Sequence, residues 1–356
     1  MKTHLLSALV VWVGALEGLA SGAGLRGLSW GGRWLGPLAG AVAALGGRPG
    51  PAALAAALPA ALAAQAGLAA LRRPGLNPKL RLRPGAYEDR RIERVAIAGA
   101  HGPVPALYIA PTGEALGAVC VAHGSGCDKT FYAWRLVDEL VGAGLAALLV
   151  DLDGHGESPR PQAYPEIVES VAAPARWLRG RHGRTALLGM SLGGAVATRA
   201  AAEGAPCDAL ALWAAPPRLR LTAEQYRRAQ LREGMRIARP TLLHLFRDGT
   251  AYHVVRAWRT SGIRARIGTW DLFDALDLLG SLGRVRARAG RPPLLLVYAG
   301  RDAVLPRGAD AEVRGATAGW GEFHLLRGAS HVSLPIEPAT IAITVRWLAQ
   351  VLRYEV

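Results

Sequence analysis

The stretch LLGMSLGGAVATRAA, residues 187–201, decides how the rest of the chain is interpreted. An apolar run leads into Ser191, and a run of small, helix-forming residues leaves it. Gly189 and Gly193 stand two residues before and two residues after the serine, giving the pattern G-x-S-x-G. Two interpretations are open. The stretch is either an ordinary glycine-rich turn or a sharp strand-to-helix turn that projects Ser191 as a nucleophile.

The sequence around this stretch alternates between strand-like and helix-like segments from about residue 92 onward. The runs RVAIAG and VPALYIA, separated by AHGP, predict an opening hairpin. Later apolar runs are uninterrupted, which is typical of parallel strands covered on both faces. Ligands bind such sheets at the carboxyl ends of the strands. The loops predicted there are HGSGCDK, DLDGHGES, GMSLGG and GRDAVLP.

A serine nucleophile needs partners, because its hydroxyl reacts poorly unless a base removes the proton. Asp302 follows the apolar run of LLLVYAGRDAVLP, and His331 follows the strand-like run of FHLLRGASHVSLP. Asp302 would fix the imidazole tautomer, and His331 would accept the serine proton. Either residue alone is an ordinary loop residue. Their order after Ser191, each at the end of a predicted strand, favours a catalytic interpretation.

Two backbone N–H groups are candidates for stabilising a developing oxyanion. The N–H of Leu192 opens the helix that follows Ser191, and the N–H of Ser125 lies in the loop HGSG. A simple glycine turn is the alternative explanation for HGSG. Neighbouring Cys127 lacks a histidine motif of its own and is interpreted as a bystander.

The composition restricts the classes of partner. The chain has 356 residues, a formal net charge of +15 and 51% hydrophobic residues. The basic residues are almost all Arg, and neither zinc-finger spacing nor a basic helical stripe is present, so no nucleic-acid partner is expected. Attraction to anionic lipid or to an acidic substrate stays open. The three cysteines include no C-x-x-C pair, so neither a disulfide framework nor a metal site is expected.

The hydrophobic excess lies in residues 1–75, which contain apolar runs at 5–25, 35–47 and 51–71. The first and third are long enough for membrane helices. The basic residues that follow favour a membrane-associated protein with a cytoplasmic catalytic domain. A signal peptide, a transit-like segment and a weakly ordered leader are the alternatives. Residues 76–91 are interpreted as a basic linker, because Pro-Gly steps at residues 74–75 and 84–85 interrupt any continuous helix.

The alternation is interrupted once more, by an Arg-rich and helical segment at residues 217–290. We interpret it as a helical cap inserted between two parts of the sheet domain, residues 92–216 and 291–356. The aromatic side chains of Trp258 and Trp270 are candidates for lining an acyl pocket in this cap.

Taken together, HGSG, DLDGHGES, GMSLGG, AGRD and GASH resemble motifs of the α/β-hydrolase superfamily. The chain looks most similar to the monoglyceride-lipase and serine-aminopeptidase-like branch. This resemblance implies an eight-stranded, mostly parallel sheet with a helical cap, and acyl transfer without a cofactor or metal. It implies that Ser191 is the nucleophile, Asp302 the acid and His331 the base, with Ser125 and Leu192 forming the oxyanion hole.

The activity expected from these residues is hydrolysis of a carboxylic ester, including lipid-like esters and thioesters, through an acyl-enzyme. Three alternatives stay open. An acyltransferase or a peptidase would use the same three residues, and a binding protein would keep the fold without the chemistry.

Overall fold

The part of the protein that the structure describes contains one β-sheet with helices packed on both of its faces. The computed structural model describes Lys79 and residues 82–131, 133–219, 221, 223–234 and 263–353. Nine strands are found in these residues: β1 (Gly85–Ala86), β2 (Arg90–Ile97), β3 (Val104–Pro111), β4 (Gly117–Ala122), β5 (Leu145–Val150), β6 (Thr185–Met190), β7 (Ala209–Trp213), β8 (Leu294–Ala299) and β9 (Gly321–Leu326).

The same part of the chain forms eight α-helices and two short 3₁₀ turns. The helices are α1 (Ala133–Gly142), α2 (Glu169–Arg179), α3 (Leu192–Ala202), α4 (Ala223–Gly234), α5 (Thr269–Leu276), α6 (Leu278–Arg286), α7 (Ala309–Ala316) and α8 (Pro338–Arg353). The 3₁₀ turns are Glu166–Val168 and Leu334–Ile336.

The strand order across the sheet is β1-β2-β3-β5-β4-β6-β7-β8-β9. The pairs β1/β2, β2/β3 and β3/β5 are antiparallel, and the remaining pairs are parallel. The order reverses around β4, so the loop after β4 and the loop after β6 meet at the carboxyl edge. This reversal is where open α/β sheets bind ligands.

Strands β2 and β3 confirm the predicted opening hairpin, pairing from Arg90↔Pro111 to Ile97↔Val104. The expectation of eight strands is wrong by one. The additional strand, β1, has only two residues and pairs with β2 at the edge of the sheet. It comes from the charged stretch 76–91, where hydrogen bonds along β2 order a segment that has no strand-like apolar pattern. Strand β2 itself begins inside that stretch, at Arg90.

Helices cover both faces, which explains why β5, β6, β7 and β8 are buried at every residue. Helices α1 and α8 pack together on one face, with Trp134, Leu140 and Leu348 in its core. Helices α2, α3 and α6 pack on the other face, with Val171, Val196 and Leu282 buried among them.

Helices α4, α5 and α6 come from the stretch 217–290, which the sequence assigns to a cap. Helices α5 and α6 contact α3, and their leucines belong to the core of that face. The end of this stretch therefore covers the sheet. Trp270 packs against the same core, whereas Trp258 lies outside the described residues.

The predicted membrane helices, residues 1–75, also lie outside the described residues. Within the ranges that are described, no helix combines the length and apolar character needed to cross a membrane.

Candidate active site

Ser191 occupies the sharp turn between β6 and α3. Its backbone has φ = 49° and ψ = −114°, a conformation that side-chain-bearing residues seldom adopt. The Ser191 N–H donates to the carbonyl of Trp213 at 2.8 Å, which ties the turn to the end of β7. The carbonyl of Ser191 accepts from Gly194 and Ala195 in the first turn of α3. These bonds hold the strained turn in place.

The glycines around Ser191 are required by close backbone contacts. A Cβ on Gly189 would lie 2.4 Å from the carbonyl oxygen of Gly193. A Cβ on Gly193 would lie 2.3 Å from the carbonyl oxygen of Ala122, at the end of β4. Both distances are far below an ordinary van der Waals contact. The G-x-S-x-G pattern is therefore a steric requirement of this turn.

The structure brings Asp302 and His331 to Ser191, as the sequence predicts. His331 Nδ1 lies 2.7 Å from Asp302 Oδ2, and His331 Nε2 lies 3.1 Å from Ser191 Oγ. Asp302 follows β8 and His331 follows β9, so all three residues lie at the carboxyl edge of the sheet. Ser191 and His331 are buried, and 8% of the Asp302 side chain is exposed.

The hydrogen bonds define the charge state and tautomer of this array. Asp302 Oδ1 accepts from the N–H groups of Val304 and Leu305, both at 2.8 Å, which leaves Oδ2 to accept from His331 Nδ1. His331 Nε2 then faces the Ser191 hydroxyl as an acceptor. Burial raises the pKa of Asp302, but the charge of His331 and the N–H donors outweigh it, and the net shift is downward.

The pKa of His331 shifts in the opposite direction. Burial lowers it, while the charge of Asp302, the hydrogen bond to Asp302 and the charge of Glu233 raise it, and the net shift is upward. The imidazole is therefore a stronger base than a free histidine. A group that must remove a proton from a hydroxyl benefits from this change.

Leu192, one candidate oxyanion donor, is the first residue of α3, a position whose N–H has no acceptor within the helix. Ser125, the other candidate, lies in a tight turn closed by Cys127 N–H donating to Gly124 O at 3.2 Å. Gly124 adjoins the nucleophile, because a Cβ there would lie 3.6 Å from Ser191 Cβ. The two predicted donor segments therefore flank Ser191.

His123 orients the peptide that links Gly124 to Ser125. Its Nε2 accepts from Leu152 N–H at 3.2 Å, so its Nδ1 carries the proton and donates to Gly124 O at 2.8 Å. Burial lowers the pKa of His123 to about 4 despite these bonds, so the ring is neutral. In a trans peptide the N–H points away from the carbonyl. The N–H of Ser125 is therefore directed away from His123.

A buried ion pair joins the loop after β4 to the loop after β5. The ammonium of Lys129 contacts the carboxylate of Asp151, and it lies 2.9 Å from Glu157 Oε2. The same Asp151 carboxylate accepts the N–H of Lys129 at 2.8 Å and the N–H of Glu157 at 2.9 Å. Both members of the pair are buried. The pair fixes HGSGCDK against DLDGHGES.

The sequence interpretation missed Glu233, on helix α4. Its carboxylate accepts the N–H of Ala303, next to Asp302, and the N–H of Val332 at 2.9 Å, next to His331. The side chain is 2% exposed. Nothing local marks Glu233 among the acidic residues of an Arg-rich segment, and only the tertiary fold brings it to the site.

Cys127, interpreted as a bystander, fits that interpretation. Burial raises the pKa of its thiol, with the charge of Asp128 adding to the shift, so the thiol stays protonated. A protonated thiol is a weak nucleophile.

The chain is similar to a known protein family and to several solved structures. The model of the Alpha/beta hydrolase family matches residues 118–343, which is more than half of the chain. No curated protein matches the sequence.

Among solved structures, the esterase Pf2001 of Pyrococcus furiosus superposes with a TM-score of 0.52 at 16% identity, covering 74% of this chain and 91% of that one. DcsB, solved with its substrate analogue, superposes with a TM-score of 0.53 at 15% identity, covering 74% of this chain and 98% of that one. A cold-adapted esterase from an Arctic intertidal metagenomic library superposes with a TM-score of 0.50 at 16% identity, covering 75% of this chain and 97% of that one. At these identities the similarity demonstrates a shared fold. The match does not distinguish the monoglyceride-lipase branch from others, and that assignment stays a prediction.

Proposed function

We propose that this chain, which belongs to the alpha/beta hydrolase family, is a serine hydrolase that cleaves carboxylic esters. The proposed nucleophile is Ser191, the base is His331 and the acid is Asp302. The observation that carries the proposal is the continuous series of hydrogen bonds from Asp302 through His331 to Ser191, with distances of 2.7 and 3.1 Å.

In the proposed acylation step, Ser191 Oγ attacks the ester carbonyl carbon while His331 Nε2 takes the hydroxyl proton. The negative charge that develops on the carbonyl oxygen is stabilised by the N–H groups of Ser125 and Leu192. Preorganised donors of this kind lower the activation barrier, by on the order of 3 kcal/mol for one donor. His331 then gives its proton to the departing alcohol, leaving an acyl group on Ser191.

Deacylation repeats these steps with water. His331 removes a proton from a water molecule, which attacks the acyl carbon and displaces Ser191 Oγ. The proton returns to the serine, and the carboxylic acid leaves. Throughout, Asp302 stays ionised, because its lowered pKa and its N–H donors favour the carboxylate. The cycle needs neither a metal nor a redox cofactor.

Ester substrates are supported by the structural neighbours, two of which are named esterases. A small pocket adjoins Met190, the residue before Ser191, and its lining includes the apolar side chains of Val121, Leu188 and Trp213. The buried polar side chains of His123 and Lys129 also line this pocket.

A panel of p-nitrophenyl esters of increasing acyl length tests the proposal. We expect hydrolysis by the wild type, with Ser191→Ala reduced by at least about a thousandfold. Hydrolysis at the wild-type rate by Ser191→Ala, or none by folded wild type with any ester, contradicts it. Adding an alcohol separates an acyltransferase, which would form the new ester in preference to the free acid.

We also propose, from the sequence of residues 1–75, that the chain is attached to a membrane with its catalytic domain in the cytoplasm. Two of its apolar runs are long enough to span a bilayer, and basic residues follow them. A membrane-spanning chain stays in the pellet after alkaline carbonate extraction. Release of the full-length chain by carbonate contradicts this proposal.

A further inference from the structure

We propose that Glu233 is a positioning residue that fixes the loop of Asp302 and the loop of His331 relative to each other. This inference rests on the function proposed above and adds a positioning residue beside its triad. Glu233 touches neither Ser191 nor a place for substrate in the described structure, so its action passes through the two loops.

The geometry of Glu233 is that of a clamp. One carboxylate oxygen accepts the N–H of Ala303, and the other accepts the N–H of Val332 at 2.9 Å. Each donor is the residue immediately after a member of the proposed triad. The Asp302 loop and the His331 loop are thus held by one rigid, planar group. Hydrogen bonds to an ionised acceptor are also stronger than those between neutral groups.

The burial of Glu233 indicates that the clamp has a cost. Burial raises the pKa of its carboxyl, and the charge of Asp302 acts in the same direction. The two N–H donors and the charge of His331 oppose this shift. A buried carboxylate placed beside the carboxylate of Asp302 is unfavourable unless specific donors compensate it. Here the two compensating donors are the triad loops themselves.

Glu233 also acts on His331 electrostatically. Among the described residues, the charged groups that shift the pKa of His331 are Asp302 and Glu233, and both raise it. Glu233 thus supplies a second negative charge that favours the imidazolium formed in the reaction. Removing this charge is therefore expected to lower the pKa of His331.

The clamp comes from helix α4, which lies in the long connection between β7 and β8. Every other residue proposed for catalysis follows a strand of the sheet. Glu233 therefore makes the alignment of Asp302 with His331 depend on where this helix sits, and so couples the inserted segment to the chemistry.

The test compares Glu233→Gln and Glu233→Asp with the wild type and with Glu224→Gln. Glu224 is a matched control, because it lies on the same helix but is exposed and forms an ion pair with Arg228. The readouts are kcat, KM and the pH profile of kcat/KM with a p-nitrophenyl ester, together with the thermal midpoint of each variant.

We expect Glu233→Gln to lower kcat by about tenfold or more at little cost in KM, because an amide accepts only one of the two N–H bonds. The acid limb of its profile moves to lower pH, because a negative charge beside His331 is gone. Glu233→Asp keeps the charge but is too short to span both donors. Its limb stays in place while kcat falls, and this variant carries the test if Glu233→Gln does not fold.

The outcomes separate this inference from the function on which it rests. An inactive but folded wild type overturns the proposed function. An active wild type with Glu233 variants that match Glu224→Gln in kcat and in the acid limb overturns the clamp. The clamp is also overturned if Glu233→Gln lowers both kcat and the thermal midpoint but leaves the acid limb in place. That is the pattern of a purely structural residue.

Discussion

Replacing Gly189 by alanine tests whether the turn at Ser191 has the close-packed geometry described above. The added Cβ would lie 2.4 Å from the carbonyl oxygen of Gly193 and 2.5 Å from Gly194 Cα. All the obstructing atoms are backbone, so no side chain can rotate away. An ordinary contact begins near 3.4 Å, so relief requires a displacement of about 1 Å at the start of α3.

That displacement acts directly on the hydrogen bond between Ser191 Oγ and His331 Nε2, which is 3.1 Å long. A misplacement of about 1 Å costs on the order of a hundredfold in rate. Overpacking of this kind also destabilises a folded protein by about 1–3 kcal/mol. We therefore expect Gly189→Ala to lose about two orders of magnitude in kcat and to unfold at lower denaturant concentration.

The assay measures ester hydrolysis and chemical denaturation in parallel, with Gly283→Ala as the matched control. Gly283 lies inside α6, and apart from its chain neighbours and the backbone of its own helix no described atom lies within 4 Å of its would-be Cβ. A helix gains up to about 1 kcal/mol from this exchange. If Gly189→Ala keeps its kcat within twofold and its stability within about 0.5 kcal/mol of the wild type, the steric account of the turn is wrong.

Three further predictions concern charge. The raised pKa of His331 places the acid limb of kcat/KM above pH 6.5, because the imidazole must be neutral to act as a base; a limb centred below pH 6.5 contradicts this. Burial lowers the pKa values of His123 and His155 to about 4. Between pH 6.5 and pH 4 these rings are protonated in the unfolded chain but neutral in the folded one. The free energy of unfolding therefore falls as the pH drops through this range, by up to about 1.4 kcal/mol per pH unit for each ring. Urea titrations across this range check the slope, and a flat profile refutes it. Lys129→Met leaves the buried carboxylate of Asp151 without its ammonium partner and is expected to lower the free energy of unfolding by about 3–5 kcal/mol. Adding Asp151→Asn is expected to restore part of this loss. A loss below about 1 kcal/mol contradicts the role of the ion pair.

Much of the fold and most of the candidate site follow from local sequence patterns. Uninterrupted apolar runs predict buried parallel strands, and the glycines around Ser191 predict a turn with no room for side chains. Asp302 and His331 could be identified because each follows a predicted strand, and the ends of parallel strands share one edge of a sheet.

The features that the sequence did not predict depend on long-range contacts. The two residues of β1 become a strand only because β2 offers them a partner edge. Glu233 is one acidic residue in an Arg-rich segment, and its partners are backbone N–H groups that carry no sequence signal. Likewise, Lys129 and Asp151 are far apart in sequence, and only the sheet order brings their loops together.

The most direct test of the account is covalent labelling of the wild type with a fluorophosphonate, read by mass spectrometry of the digested protein. We predict one label on the peptide that contains Ser191, no label in Ser191→Ala, and full labelling in Ser281→Ala, where the changed serine lies in α6. Labelling of Ser191→Ala at the wild-type level, or a folded wild type that remains unlabelled, would contradict the assignment of Ser191 as the nucleophile.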